Sequence, residues 1–193
     1  MDIVFASNNQ HKLREAREIL SDYRILSLAE IGFCSEIEEN KSSIEENAVE
    51  KVRAVRPYTD KIIIADDTGL FVEALKGAPG VYSARYAGEK ATFADNNKKL
   101  LKALEKEQNR NAVFKCAVAL QMPDGTEKVF AGETRGSIAA KCMGEHGFGY
   151  DPVFFVEALG KTYAQMTEEE KNHCSHRAQA LFALRDFFDE LVK

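Results

Sequence analysis

Two adjacent carboxylates follow an apolar run in the stretch IIIADDTGLF, residues 62–71. Asp66 and Asp67 repel each other and gain nothing from a hydrophobic core, so one explanation is a strand that ends in a turn, where Asp and Gly are common. The other is that the strand delivers a carboxylate to a ligand, because open α/β sheets bind ligands at the carboxyl ends of their strands. Other segments with chemically useful side chains bear on the choice.

The segment SNNQHK, residues 7–12, is a polar turn between a strand-like pattern and a helical one. Such a turn places backbone N–H groups at a helix N-terminus, which favours an anion. Ser7 offers a hydroxyl, and Asn8 or Asn9 tolerates left-handed backbone geometry. Lys12 lies one turn into the helix, where its ammonium can reach a phosphate. Since the segment has no glycine it is not a Walker loop, and a capped helix with a surface lysine is the alternative.

An acidic run, EIEEN, occupies residues 36–40. Such runs are usually solvated surface, which is one interpretation. The other is that one of these glutamates joins Asp67 in holding a hard cation, because Mg²⁺ takes one or two carboxylates together with substrate phosphates. Two predictions are therefore open for this run: a solvated surface, or a ligand for the metal ion of a phosphate site.

The segment GFGYDP, residues 147–152, alternates glycines with aromatic residues before Asp and Pro. Gly147 and Gly149 allow the backbone to approach a ligand closely. Phe148 or Tyr150 can stack on a flat ring. The alternative is a tight loop with a buried aromatic side chain.

Hydrogen-bond donors gather in EEKNHCSHR, residues 169–177. The Ser-His-Arg triplet at a helix start, with Lys171 nearby, suits an oxo group or a phosphate. A metal site at His173 and His176 is disfavoured because no third soft ligand is near. The five segments together supply contacts for phosphate, for a metal ion and for a flat ring, and they supply hydrogen-bond donors. They therefore predict a nucleoside triphosphate site in which the Asp pair provides the metal ligand and the general base.

Hydrophobic periodicity predicts the elements that position these residues. Ser43-x-x-Glu46 has capping-box spacing and starts a helix on which Asn47 and Lys51, four residues apart, share a face away from the apolar stripe. Alternating strands and helices with a central hairpin predict a mixed-sheet α/β protein. The predicted strands are 2–6, 24–28, 61–65 and 153–156, with a hairpin at 111–122 and 127–139, and the predicted helices are 11–23, 44–56, 92–105 and one from Ser175 with Leu191 on its apolar face.

Composition narrows the class of protein. A chain of 193 residues fits one domain, or one domain with a small lobe. Its net charge of −5 argues against a nucleic-acid-binding surface but leaves an anionic small molecule open. The four cysteines form no CxxC pair, which disfavours a zinc site and predicts buried or partly buried thiols in a reducing cytoplasm. We see neither a signal peptide nor an apolar run of membrane length, and so expect a cytoplasmic protein without a membrane partner.

These segments, in this order, closely resemble the inosine triphosphate pyrophosphatase family, whose members are also called dITP/XTP pyrophosphatases. The similarity runs nearly from end to end. It is carried by SNNQHK, which stands for the family's T-G-N-x-x-K, and by SIEENAVEKVRA, IADDTGL, GAPGVYSARYAG, GFGYDP and EEKNHCSHR. Ser7 and Thr68 replace threonine and serine and keep a hydroxyl, whereas Asn8 and His146 stand where glycine is usual.

The resemblance implies hydrolysis of ITP, dITP and XTP to the monophosphate and pyrophosphate, with Mg²⁺, by a homodimer. The implied fold is α/β, an elongated mixed β-sheet with flanking helices, two lobes and a central cleft, formed by residues 1–193 as a single domain. Asp67 is the implied general base and a metal ligand, and Glu39 is the second acidic ligand. Phosphate contacts are implied for Ser7, Asn8, Asn9, Gln10, His11, Lys12 and Lys51, with Thr68 beside them, and base and sugar contacts for Phe148, Gly149, Tyr150, Asp151, Lys171, His176 and Arg177.

Two other functions are weighed against this one. A broader pyrophosphatase for modified nucleotides, including pyrimidines, would use similar carboxylates with a different base pocket. A nucleotide sensor would hold magnesium through the same carboxylates without turnover. Pyrophosphate release from ITP separates the sensor from both enzymes, because a sensor releases none.

Overall fold

The computed structural model of the chain describes residues 1–191, within which five helices and eight strands form. The helices are α1 (Gln10–Ile19), α2 (Ile44–Val55), α3 (Phe93–Ala103), α4 (Glu168–Cys174) and α5 (His176–Leu191). The strands are β1 (Asp2–Phe5), β2 (Arg24–Leu26), β3 (Ile62–Val72), β4 (Pro79–Gly80), β5 (Asn111–Gln121), β6 (Glu127–Ile138), β7 (Phe154–Val156) and β8 (Lys161–Thr162).

All the described strands belong to one mixed sheet. Its order is β2-β1-β3-β5-β6-β7-β8, and β4 pairs with β3 outside this path. β1 is parallel to both β2 and β3, with Val4 opposite Leu26 and Ile63. The pairs β3–β4, β6–β7 and β7–β8 are antiparallel. The parallel strands are separated by α1 and α2, as crossover connections require, and the predicted mixed-sheet α/β class is confirmed.

The described chain divides into two compact units, each with its own core. The first unit comprises residues 1–67, 116–132 and the chain from Arg177 onward. In it, apolar side chains of β1, β3 and β5 pack against α1 and α5. Its buried side chains include Ile3, Phe5, Leu13, Ala16, Ile64, Val118, Leu181, Leu184 and Phe188.

The second unit comprises residues 68–115 and 133–176. Its core is built around Phe114, whose ring lies 4.8 Å from that of Phe154 in an edge contact. The same ring stacks on Tyr163 at 6.0 Å. The prediction that the whole chain forms a single domain stays a prediction.

The strand that carries the two aspartates is longer than the sequence predicts. β3 passes through Asp66, Asp67 and Gly69 without a turn, so the strand end predicted at this point is wrong. Gly69 explains why the strand can continue, because a Cβ there would lie 2.7 Å from the carbonyl oxygen of Gly80 on β4. A glycine within a strand can mark such a close approach of two backbones rather than a turn.

Most of the other predicted elements are confirmed, with local differences. α2 follows Ser43, whose hydroxyl accepts a hydrogen bond from the N–H of Glu46, and its predicted apolar stripe is buried. α4 was not predicted, because its seven residues are mostly charged and show no apolar period. Leu191 was predicted on the apolar face of α5 but is exposed.

The cysteines are less buried than the sequence suggests. Cys34 and Cys142 are exposed, because both lie in loops, whereas Cys116 is buried and Cys174 half-buried. The expectation of four buried or partly buried thiols is therefore wrong for two of them. Within residues 1–191, no helix combines the length and the apolar character that a membrane crossing requires.

Candidate functional site

The two adjacent aspartates face opposite sides of the sheet. Successive side chains of a strand point to opposite faces, so the two carboxylates meet different helices. Asp66 contacts Arg177 of α5, whereas Asp67 contacts Asn47 of α2. The two aspartates therefore belong to two separate clusters of side chains, both within the first unit.

One ammonium joins two carboxylates on the α2 side. Lys51 Nζ lies 3.3 Å from Asp67 Oδ1, 2.7 Å from Glu39 Oε1 and 2.9 Å from the backbone oxygen of Asp66. The other oxygen of Asp67, Oδ2, accepts a hydrogen bond of 3.0 Å from Asn47 Nδ2. Asp67, Asn47 and Lys51 are buried, while Glu39 is partly exposed. We refer to Glu39, Asn47, Lys51 and Asp67 as the Asp67 cluster.

Burial and charge shift the pKa values of this cluster. Burial raises the pKa of Asp67 above its ordinary value, and this outweighs the nearby cations Lys51 and Lys12. Burial alone would lower the pKa of Lys51, but the carboxylates around it, Asp67 first and then Glu39, raise it. The ammonium therefore stays charged at neutral pH, while Asp67 holds a proton more readily than an ordinary aspartate. A carboxyl group with a raised pKa suits general-base chemistry.

The second cluster is a buried ion network on the α1 and α5 side. Arg177 Nε lies 2.9 Å from Asp66 Oδ2, and its Nη1 lies 2.6 Å from Glu15 Oε2. Lys12 Nζ lies 3.1 Å from Asp66 Oδ1. Burial would raise the pKa of Asp66, but the cations Lys12 and Arg177 hold it well below its usual range. We refer to Lys12, Glu15, Asp66 and Arg177 as the Arg177 network.

The predicted phosphate turn is organised by its own side chains. Asn9 caps α1, and its Oδ1 accepts hydrogen bonds from the N–H groups of His11 and Lys12 at 3.0 and 3.3 Å. Ser7 Oγ accepts a bond of 3.2 Å from the N–H of Asn9. Asn9 has a φ of −79°, and of the non-glycine residues in the described chain only Lys76 has a positive φ. Neither Asn8 nor Asn9 uses the left-handed geometry that an asparagine tolerates, and Asn9 acts as a helix cap instead.

In the second unit, the segment GFGYDP is tied together by one aspartate. Asp151 Oδ2 accepts a bond of 2.8 Å from the N–H of Phe148 and lies 2.6 Å from Lys171 Nζ. A Cβ at Gly147, which has a φ of +73°, would collide with the same Oδ2, so only glycine fits there. Lys171 Nζ also lies 4.7 Å from the centre of the half-buried Phe148 ring. Asp151 and Lys171 therefore contact the backbone and the ring of Phe148, respectively.

Tyr150 and His176 are packed into the core of the second unit. The Tyr150 hydroxyl donates a hydrogen bond of 2.8 Å to the backbone oxygen of Ser83. The His176 ring stacks on Phe114 with the ring centres 4.5 Å apart. Of the two aromatics predicted to stack on a base, Tyr150 is therefore a core residue, whereas Phe148 is half-buried with its ring centre 6.1 Å from that of the exposed Phe93.

The structure brings part of the predicted site together. Glu39, Lys51 and Asp67 form one cluster in the first unit, and Phe148, Asp151 and Lys171 form another in the second. The contacts described for Lys12 and Arg177 are to carboxylates, so their predicted roles toward phosphate and base stay predictions. The remaining predicted contacts, which also stay predictions, are Ser7, Asn8, Asn9, Gln10, His11, Thr68, Gly149, Tyr150 and His176.

Two residues with a part in these clusters were not predicted. Asn47 bonds to Asp67, and the signal was its spacing of four residues from Lys51 on the same polar face of α2. Glu15 bonds to Arg177. Its signal was weak, because a glutamate among the charged positions of an amphipathic helix is ordinarily solvated.

The two carboxylates of the Asp67 cluster are ligands of the type that a magnesium ion takes, and they could hold one only together with other oxygens. Glu39 Oε1 and Asp67 Oδ1 lie 2.7 and 3.3 Å from the same nitrogen, so they are at most 6.0 Å apart, with a positive charge between them. Two carboxylates completed by phosphate oxygens are a usual Mg²⁺ ligand set. Among residues 1–191 there is no group of three or more His, Cys, Asp or Glu side chains that could hold a metal without such help.

Comparison with known proteins shows which protein family this chain is similar to. A sequence profile of the Ham1 family matches residues 3–187. A dITP/XTP pyrophosphatase of Thermoanaerobacter sp. (strain X514) is 49% identical over 191 residues, which cover 97% of this chain and 96% of the relative. A dITP/XTP pyrophosphatase of Bacillus subtilis (strain 168) is 48% identical over 185 residues, or 93% of each chain. The solved structure of the Staphylococcus aureus Ham1 protein superposes with a TM-score of 0.89 at 44% identity, covering 98% of this chain and 99% of the other.

Proposed function

Because this chain belongs to the Ham1 family along nearly its whole length, we propose that it is a dITP/XTP pyrophosphatase that clears the nucleotide pool of non-standard purine triphosphates. It hydrolyses ITP, dITP and XTP to the monophosphate and pyrophosphate. The observation that carries the proposal is the buried carboxylate of Asp67, held between Asn47 and Lys51 beside a second carboxylate. Relatives at 48–49% identity that are named dITP/XTP pyrophosphatases support dITP and XTP as substrates.

Asp67 acts as the general base in this proposal. Its raised pKa suits it to take a proton from the water that attacks the α-phosphorus, after which pyrophosphate leaves as one unit. Asn47 and Lys51 hold one oxygen each, so the carboxylate cannot rotate freely. Lys51 places a positive charge within 3.3 Å of Asp67, where it stabilises the negative charge that develops on phosphate oxygens.

Glu39 and Asp67 would hold the magnesium ion. Bound there with phosphate oxygens, Mg²⁺ supplies charge neutralisation for the triphosphate and the leaving pyrophosphate. Asp66 is kept ionised by Lys12 and Arg177 and is not proposed as a ligand of the ion. The segment from Ser7 to Lys12 and the hydroxyl of Thr68 are proposed to contact the phosphates.

The base is recognised by residues of the second unit. Phe148 stacks on the purine, since its ring is half-buried, its N–H is bonded to Asp151 and its ring lies 4.7 Å from the Lys171 ammonium. Stacking on an aromatic ring tolerates every purine, so it adds affinity without selecting among bases. Gly149, Tyr150 and His176 of the second unit remain proposed contacts to base or sugar, and so does Arg177 of the first unit. We also propose a cytoplasmic homodimer, with a purine nucleoside triphosphate as its partner and with neither nucleic acid nor membrane.

A substrate panel tests the function. Pyrophosphate release is measured with magnesium for ITP, dITP, XTP, GTP, ATP and dUTP. We expect the first three to be hydrolysed best, and hydrolysis in ¹⁸O-water to label the monophosphate. Release from none of them would identify a sensor, and equal release from dUTP would identify the broader pyrophosphatase. Label in free orthophosphate, with a diphosphate left behind, would contradict attack at the α-phosphorus.

Glu39→Gln is expected to raise the magnesium concentration needed for half-maximal rate. The amide keeps the shape of the side chain but loses the charge, so the ion binds more weakly and raised magnesium restores part of the rate. Calorimetric titration of magnesium into the protein gives the same comparison without turnover. Glu38→Gln is the matched control, because Glu38 is an exposed neighbour whose described bond is to Asn40. Equal shifts in the two variants would remove Glu39 from the ligand set.

Phe148→Ala is expected to raise KM for ITP, XTP and GTP alike by about tenfold. Loss of an aromatic platform removes a stacking contribution of about 1–3 kcal/mol per base. Tyr150→Phe deletes only the hydroxyl bound to Ser83, which lowers the free energy of unfolding by about 1 kcal/mol with little change in KM. Steady-state kinetics and thermal unfolding measure both. If KM does not rise for Phe148→Ala, Phe148 is not the residue that stacks on the base.

A further inference from the structure

The side-chain amide of Asn47 joins two parts of the chain that are far apart in sequence. Its Nδ2 donates a 3.0 Å hydrogen bond to Asp67 Oδ2, and its Oδ1 accepts one of 3.0 Å from the backbone N–H of Lys41. Only 2% of the residue is exposed. A backbone N–H can only donate, so the amide oxygen must face Lys41 and the NH₂ group must face the carboxylate. The orientation of this amide is therefore fixed by both partners.

One of the two bonds contacts a proposed metal ligand directly, and the other contacts the backbone near the second proposed ligand. The first holds Asp67 itself. The second holds the backbone of Lys41, two residues after Glu39, and Glu39 in turn contacts Lys51. Asn47 and Lys51 are one turn apart on α2. A single helix face thus fixes the acidic loop at two points and Asp67 at two points.

We propose that Asn47 is a positioning residue that holds the loop carrying Glu39 in register with the carboxylate of Asp67. This inference rests on the proposed function of the site, and it adds a residue that touches neither the nucleotide nor the ion. Lys51 alone cannot set this register, because its flexible ammonium can follow either carboxylate. A planar amide with one donor side and one acceptor side has only one arrangement that satisfies both bonds.

Loss of the amide is expected to affect turnover more than nucleotide binding. Hydrogen-bond partners behind metal ligands typically cost about 10–100-fold in activity or metal affinity when they are replaced. We expect Asn47→Leu, which removes both bonds at similar volume, to lower kcat for XTP by about this factor with KM little changed. The magnesium concentration for half-maximal rate is expected to rise, since Glu39 is no longer held near Asp67.

Two variants separate the two bonds. Asn47→Asp keeps an oxygen for the N–H of Lys41 but opposes Asp67 with a second carboxylate. Hydrogen exchange of the Lys41 amide is measured by NMR on the metal-free protein. We expect exchange to stay slow in Asn47→Asp and to become fast in Asn47→Leu, while kcat falls in both. Slow exchange at Lys41 in Asn47→Leu, or a kcat within twofold of the wild type in either variant, would overturn the inference.

Asn96→Leu is the matched control. Asn96 is also a helical asparagine with 2% exposure, and its amide bonds the backbone of Ala84 and Ala87 at 3.0 and 2.7 Å. We expect it to lose stability as Asn47→Leu does, but to keep kcat and the magnesium dependence. If the wild-type protein hydrolyses none of the nucleotides, the proposed function fails. The exchange of Lys41 and a calorimetric magnesium titration still decide whether Asn47 orders this loop.

Discussion

Replacing Asp67 with asparagine is expected to lower kcat/KM for XTP and ITP by about 10²–10⁴-fold. A positioned general base contributes about this much, and the change also removes a charge from the proposed ion site. The shape of the side chain and the bond to Asn47 can be kept, because an amide oxygen accepts as a carboxylate oxygen does. Steady-state kinetics at saturating magnesium, with pyrophosphate as the measured product, gives the comparison.

We expect Asp67→Asn to lose activity without a matching loss in its free energy of unfolding. Because burial raises the pKa of Asp67 in the folded protein, its contribution to stability is full below the unfolded pKa of about 3.9 and is lost as pH rises through the folded value. At pH 7 the ionised carboxylate therefore lowers stability. A neutral asparagine removes this loss but also takes one carboxylate from the buried Lys51 ammonium, so we expect the free energy of unfolding to change little.

Asp66→Asn is the adjacent control and should behave in the opposite way. The pKa of Asp66 is lowered in the folded protein, so its contribution is present above about pH 3.9 and is lost as pH falls through the folded value. At pH 7 the asparagine variant loses that contribution. We expect a lower melting temperature with a smaller direct effect on turnover than Asp67→Asn. Equal losses of kcat/KM at matched folded fractions would mean that the general base is not Asp67 alone.

The parts of the fold that the sequence predicted are those set by local chemistry. α2 has an apolar stripe, a serine cap and a second face on which Asn47 and Lys51 lie four residues apart. Each of these features appears in the structure. The hairpin of β5 and β6 follows from its turn residues, with the N–H of Met122 bonded to the oxygen of Thr126. Periodicity and turn chemistry act over a few residues, so they can be read without the fold.

The parts that failed depend on residues distant in sequence. β3 continues past Asp67 because Gly69 faces β4, and a glycine alone does not tell a turn from a close backbone approach. Asn9 tolerates a left-handed conformation, but capping α1 satisfies two N–H groups with ordinary dihedral angles. The partners of Arg177 lie 111 and 162 residues away. No pattern within its own helix could name them.

Arg177→Met is expected to lower the free energy of unfolding by about 3–5 kcal/mol. Removing one partner of a buried ion pair leaves uncompensated charge in the interior, and this is the usual cost. Here the guanidinium serves two buried carboxylates, Asp66 at 2.9 Å and Glu15 at 2.6 Å, with 2% of the arginine exposed. Methionine keeps much of the length and the apolar stem. Urea unfolding at pH 7, followed by circular dichroism, measures the change.

Arg53→Met is the matched control, because Arg53 makes the same kind of two-point contact at the surface. Its Nε and Nη2 lie 2.9 and 2.7 Å from the carboxylate of Glu127, with 55% of the side chain exposed. Solvent screens such a pair, so we expect a loss of about 1 kcal/mol or less. The double variant Arg177→Met, Glu15→Gln should recover part of the loss, since one stranded charge is removed with the arginine. If Arg177→Met lowers the free energy of unfolding no more than Arg53→Met does, the Arg177 network does not stabilise the first unit. The proposed contact of Arg177 with the nucleotide would then be its remaining role.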